Sequence, residues 1–323
     1  MNKPSIKKSR KLKSTAIILK LVVLIVTLLL IFYKLNDPVN FGITFINQLS
    51  HLKNNPTSIL LIAVSILLMP INWMLEALKW QKLVNKNHNI SFSNALSSVL
   101  TGLTLGFITP HAIGEYVGRL WRLEGNDKMK FIGSVWLGKV LQMMVTFLFG
   151  LIGVIVFYNN SDYELPVVTI ITVLSLSLFV GWLILYFLKA EMSSWISVIQ
   201  SYFRIVLTYS FKELGLVFLL CIGRYLVFSL QFLLVLFALQ IHIPIIKLFA
   251  GITWVFLLKS IVPSFNFMSD LGVRELSALT FFDLFNANQS AVVVASLLIW
   301  LINILVPVLI GLYFVLKIKR GLR

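Results

Sequence analysis

Apolar runs close to the length a bilayer demands recur along the chain, separated by short polar stretches. About 20 consecutive apolar residues are needed for a helix to cross a hydrocarbon core about 30 Å thick. By that criterion the pattern predicts spans over 16–33, 57–78, 131–157, 166–188, 213–240 and 291–316. Two more apolar stretches, 92–110 and 245–263, each run into a turn-prone polar segment. The first continues as "TPHAIGEYVGR" and the second as "PSFNFMSDLGVRE". Such stretches either cross the membrane or dip in and return to the side they came from.

Positive charge separates the two topologies. If both stretches are re-entrant, the cytoplasmic segments are 1–15, 79–91, 119–130, 189–212 and the tail from 317. These hold 20 Lys and Arg residues, whereas the external loops 34–56 and 158–165 hold only Lys34 and Lys53. If both stretches cross fully, 119–130 and 189–212 move outside and the count becomes 13 against 9. The positive-inside rule therefore favours the re-entrant arrangement. The expected fold is all-α: a polytopic integral membrane protein with about six full transmembrane helices plus two oppositely oriented re-entrant or broken helical hairpins. Both termini are expected in the cytoplasm, and the protein in the cell membrane.

Composition agrees with this class. Of 323 residues 59% are hydrophobic and 12% charged, against about a quarter charged in soluble domains. The expected organisation is a basic cytoplasmic tail (1–15), a single transmembrane domain (16–316) and a second basic tail (317–323). "AIILKLVVLIVTLLLIFY" (16–33) follows basic residues as a secretory signal would, but it ends in "KLNDP" with no small-residue cleavage site, and reads as a membrane span. The net charge of +16 sits beside hydrophobic spans, where orientation and anionic lipid account for it. "KPSIKKSRKLK" (3–13) has no interleaved aromatics for base stacking, which argues against nucleic acid. The single cysteine, Cys221, cannot form an internal disulfide.

The candidate chemistry clusters at the two polar segments. Glu115, Arg119 and Arg122 stand at i, i+4 and i+7, so a helix starting near Gly114 stacks them on one face. They read either as an interfacial ion pair with ordinary cytoplasmic arginines, or as guanidiniums oriented by a carboxylate for bidentate phosphate contact. In the second segment Asp270 and Arg274 are also i, i+4, with Glu275 adjacent. Pro110 and Gly114 mark the expected break of the first hairpin, and Pro263 and Gly272 that of the second. Lys139 and Arg224 lie inside apolar spans. A charge at the bilayer centre costs about 2.5–3.5 kcal/mol on insertion scales, so such groups face the bundle interior or a wet cavity. Lys139 can alternatively snorkel to the interface. Trp73, Trp80, Trp121, Trp136 and Trp254 read as interface anchors or packing residues. Histidines 51, 88, 111 and 242 are scattered, and no metal, phosphate-loop or nucleophile-elbow signature occurs. No cofactor and no enzymatic activity are expected.

Three stretches resemble a known family. "ITPHAIGEYVGRLWRL" (108–123), "PSFNFMSDLGVRELSALTFF" (263–282) and "NWMLEALKWQKL" (72–83) are similar to motifs of the lysylphosphatidylglycerol synthase transmembrane-region family, the flippase-like domain of MprF-type proteins. The resemblance points to Pro110, Gly114, Glu115 and Arg119, then Gly272, Arg274 and Glu275. Met268-Ser269-Asp270 replace the family's usual Pro-Gly-Gly, and Lys139 and Gln142 stand where Arg and Asp are frequent. The soluble aminoacyl-transferase domain of full-length synthases is absent from these 323 residues, which argues against lipid aminoacylation by this chain alone. What the resemblance implies is a flippase-like protein. It would bind an anionic or lipid-linked headgroup in a polar cavity between the hairpins, with Glu115, Arg119, Arg122, Lys139, Arg224, Asp270, Arg274 and Glu275 as candidate ligands. The alternatives are a non-transporting subunit that presents a lipid or polyprenyl-linked substrate to a partner lipid- or glycan-modifying enzyme, and an intramembrane lipid-modifying enzyme.

Overall fold

The computed structural model describes residues 46–48, 50, 52–109, 112–123, 128–159, 204–262 and 267–320. The spans expected at 16–33 and 166–188 lie outside them, as do Pro110, His111 and Pro263. The described chain is all-α, a polytopic membrane bundle. Its helices are α1 (Pro56–Val84), α2 (Phe92–Ile108), α3 (Ile113–Trp121), α4 (Ile132–Asn159), α5 (Phe211–Ala238), α6 (Ile245–Ile261), α7 (Phe267–Phe282), α8 (Gln289–Trp300) and α9 (Val306–Arg320). A π turn at Leu301–Leu305 joins α8 to α9. Four segments are long and apolar enough to cross a membrane: Pro56–Val84, Lys128–Tyr158, Phe211–Ala238 and Gln289–Lys317. They correspond to the four described spans that hydropathy predicts.

Local signals explain the helix starts. Asn55 caps α1 by accepting from the amides of Thr57 and Ser58, with Pro56 at the first helical position, where its missing N–H costs nothing. Ser210 and Glu213 form a reciprocal capping box on α5. Within α1 the usual amphipathic pattern is reversed. Asn72, Glu76 and Lys79 are buried, whereas Leu60, Leu67 and Ile71 are exposed. In a membrane the apolar face meets lipid and the polar face is matched inside the bundle.

The ends of the helices decide the topology. The Tyr209 hydroxyl donates to the Leu83 carbonyl (2.7 Å) and meets Ser134 Oγ at 2.8 Å. Lys86 pairs with Glu213, and His88 stands edge-on to Phe131. The end of α1 and the starts of α4 and α5 therefore share one face of the protein. Burial pushes the Tyr209 phenol up to about 12, which keeps it a neutral donor. On the opposite face, Ser58 Oγ donates to the Ala238 carbonyl and Phe157 packs on Phe281 and Phe285. Lys247 lies over Phe285 there, which puts the start of α6 beside the end of α7.

Both intermediate segments are therefore hairpins that return to the face they left. α2 and α3 run antiparallel, and α3, with 9 residues, spans only about 13 Å at 1.5 Å per residue. The first hairpin enters from the face holding the end of α1. The second, α6–α7, enters from the opposite face. The two breaks differ from expectation in detail. In the first, the left-handed residue is Ala112 (φ 52°, ψ 31°), and Gly114 already belongs to α3. In the second, Pro263 and Gly272 were expected to bracket the break; α6 ends at Ile261 and α7 begins at Phe267, with Gly272 buried inside α7.

Glycine is required in the first hairpin for close approach. A Cβ at Gly118 would fall 2.5 Å from the Gly102 backbone, and one at Gly102 would fall 2.9 Å from the Glu115 carbonyl. No neighbour there can rotate away, because the obstructing atoms are main chain. Small residues let the helix backbones touch, which is how helices associate in lipid without a hydrophobic drive between them.

Candidate functional site

Glu76, on the inward face of α1, gathers three cations from three elements. Its Oε1 accepts from Arg119 of α3 at 2.7 Å, and its Oε2 from Arg224 of α5 at 2.6 Å. Lys79, one turn along α1, reaches Oε2 at 2.6 Å. The helical spacing i, i+3 places Lys79 beside its partner, whereas the two arginines arrive only through tertiary packing.

The first hairpin extends this cluster outward. Arg119 also donates to Glu115 at 2.6 Å, as their i, i+4 spacing allows. Glu115 in turn pairs with Lys139 of α4 at 2.8 Å. Lys139 lies over the Tyr116 ring at 4.6 Å, so it is held within the bundle by a carboxylate and an aromatic face. Two indoles support the arginines: Trp80 lies under Arg119 (5.8 Å) and Trp73 under Arg224 (5.2 Å). Trp73 and Trp80 are thus buried packing residues, whereas Trp121 is exposed. Asn72 completes the set by accepting from Arg224 Nε at 3.0 Å.

Exposure grades across the cluster. The side chains of Glu76 and Lys79 are 3% exposed and that of Arg119 6%, against 19% for Glu115, 24% for Arg224 and 38% for Lys139. The middle of the network, Glu76, Lys79 and Arg119, is sealed, whereas Lys139 and Arg224, which close its two ends, are partly open. These ion pairs bring four cations to two carboxylates, a formal surplus of two positive charges. Arg119 Nε is also buried without a hydrogen-bond acceptor.

Arg122 stands apart from this network. α3 ends at Trp121, so Arg122 is its C-cap, and its guanidinium lies over Phe314 of α9 at 5.9 Å. The expected joining of Arg122 to Glu115 and Arg119 is not formed: Arg122 keeps helical backbone angles, but its guanidinium turns to the Phe314 ring. In the second hairpin Arg274 is fully buried, with its guanidinium 5.8 Å from the Phe228 ring. Phe228 is one turn along α5 from Arg224, so one helix serves the charged residues of both hairpins. Glu275 is buried beside Arg274. The Asp270 backbone belongs to α7, and its side chain lies outside the described residues.

Glu76, Lys79 and Asn72 were not among the residues that the sequence nominated. The signal was present, since "EALK" puts an acid and a base one turn apart inside an apolar span, and an intramembrane ionisable residue is by default functional. Among the described residues no three His, Cys, Asp or Glu side chains converge as a metal site.

Comparison with known proteins bears on what this arrangement serves. None of the curated proteins matches the chain significantly. A family-level match, in contrast, covers residues 17–311, taking in both hairpins and the Glu76 helix. The chain belongs to the lysylphosphatidylglycerol synthase transmembrane-region family.

Proposed function

We propose that the chain binds the anionic headgroup of a membrane lipid at the partly open cations of the Glu76 cluster and carries it between the leaflets. The carrying observation is that, among the described residues, the network holds a surplus of two positive charges in an apolar bundle. An uncompensated charge is costly there, and a phosphate would neutralise it through charge-assisted hydrogen bonds. Lys139 and Arg224 are the groups exposed enough to meet the ligand. Glu115 orients Lys139, and Glu76, fixed by Lys79 and Arg119, orients Arg224. Two broken hairpins entering from opposite faces are a construction that transporters use to place a site near mid-membrane. In this reading the face with Lys86, Lys128 and Lys130 is cytoplasmic, and the chain carries out no covalent step itself.

The test is lipid movement in liposomes. Purified protein is reconstituted with fluorescent phosphatidylglycerol, and the probe is quenched from outside. Wild type is expected to exchange probe between leaflets faster than empty vesicles, with Lys139→Gln and Arg224→Gln each slowing it at least tenfold. If wild type matches empty vesicles across anionic, zwitterionic and polyprenyl-phosphate lipids, the translocation reading fails. The cluster would then serve to present a lipid to a partner enzyme.

A further inference from the structure

The long helix formed by α8, the π turn and α9 touches both hairpins. α8 packs beside α7 of the second hairpin, and α9 grips α2 of the first. The grip is close: Thr104 Oγ1 donates to the Val308 carbonyl at 2.9 Å, and a Cβ at Gly311 would collide with the Leu100 carbonyl. The π turn at Leu301–Leu305 lies between the two contacts. A break inside a helix has an identifiable cause, and here it is Pro307. Proline has no N–H, so position 307 offers no donor to the carbonyls one turn back, Ile302 in the π register and Asn303 in the α register.

Trp73 supplies a donor in its place. Its indole Nε1 donates to the Asn303 carbonyl at 3.2 Å, across the bundle from α1. The ring of the same indole lies under the Arg224 guanidinium at 5.2 Å. Trp73 is 6% exposed and Asn303 3%, so water does not readily substitute at either contact. One rigid side chain thus touches the break in the long helix with its edge and a cation of the ion cluster with its face.

We propose that Trp73 is a positioning residue: it couples the π turn of the long helix to the placement of Arg224, so that bending at 301–305 and the charge offered at the site change together. The π turn is then the hinge between the two hairpins, and Trp73 reports its state to the cluster. The functional half of this inference rests on the headgroup reading above, whereas the coupling itself does not.

Hydrogen exchange measured by mass spectrometry on the full chain in phosphatidylcholine nanodiscs tests the coupling without relying on transport. Trp73→Phe keeps a ring for Arg224 but removes the N–H, and is expected to speed exchange in the peptides covering 301–308 about tenfold, the worth of one buried hydrogen bond. Pro307→Ala restores the helical donor and is expected to slow exchange there. In that background Trp73→Phe is expected to add little, because the Asn303 carbonyl is already satisfied. Pro307→Ala removes no polar contact, so it keeps the test open if Trp73→Phe fails to fold. Unchanged exchange at 301–308 in Trp73→Phe, or purely additive effects of the two substitutions, overturns the proposal. Lipid movement in liposomes run on the same variants separates the two readings. Exchange coupling in a protein that moves no lipid removes the headgroup reading and leaves Trp73's role intact. Lipid movement without exchange coupling does the reverse.

Discussion

The two hairpins answer the same problem, a pair of helices too short to cross the membrane, with different materials. In the first, main chain meets main chain through Gly102, Gly114 and Gly118, and the charged side chains are turned toward α1 and α4, where opposite charges await them. In the second, Gly251 of α6 receives the rings of Phe281 and Phe282, and further aromatics surround the hairpin's base. Arg274 lies fully buried against Phe228. Close backbone approach leaves room for long polar side chains to reach across to neighbouring helices. Aromatic filling instead seals. The first hairpin therefore supplies the inner partners of the ion network, and the second meets α5 one turn from Arg224.

Breaking the hub is expected to have the largest effect. Glu76→Gln leaves Arg119, Arg224 and Lys79 without their shared carboxylate, and stranding a buried charge costs about 3–5 kcal/mol. Thermal unfolding of the detergent-purified protein should show a marked loss of stability. A Glu76→Gln protein as stable as wild type would mean that the cations can reach other partners or water.

The glycines sharpen the contrast between the hairpins. Gly118→Ala forces two main chains apart and should cost about 3 kcal/mol, at the upper end for overpacking. Gly251→Ala meets ring atoms of Phe281 and Phe282, which can rotate, and should cost about 1 kcal/mol. Gly215, where an added methyl would meet nothing within 4 Å, is the matched control. Equal losses at 118 and 251 would remove the distinction between backbone and aromatic packing.

Effects on stability and on transport should part company at the partly open cations. Lys139 is more than a third exposed, so Lys139→Gln should cost under about 1 kcal/mol of stability while slowing lipid exchange. A variant that unfolds in step with its lost exchange would make Lys139 a structural residue. The smallest effect is expected at the exposed Lys86–Glu213 pair, where Lys86→Ala should lower stability only slightly, and less at high salt. Thermal unfolding at two salt concentrations checks this.

Hydropathy located the four described crossing helices to within a few residues, because lipid imposes a length and a composition that a linear scan can read. Counting lysines and arginines also chose the hairpin topology, since that bias acts on each loop separately. The i, i+4 pairing of Glu115 with Arg119 was equally accessible, being a property of one helix. Other features depended on packing. Arg122 left the expected cluster because α9 brings the Phe314 ring within its reach, a contact set by tertiary packing. Glu76 became the centre because α3 and α5 deliver Arg119 and Arg224 to it from distant parts of the chain. Trp73 met the Asn303 carbonyl because α1 happens to pass the point where Pro307 leaves an acceptor open. Periodicity and charge bias act locally and survive in a one-dimensional string. The partner of a buried charge is set by which helices touch and at what height, and that is decided only when the bundle closes.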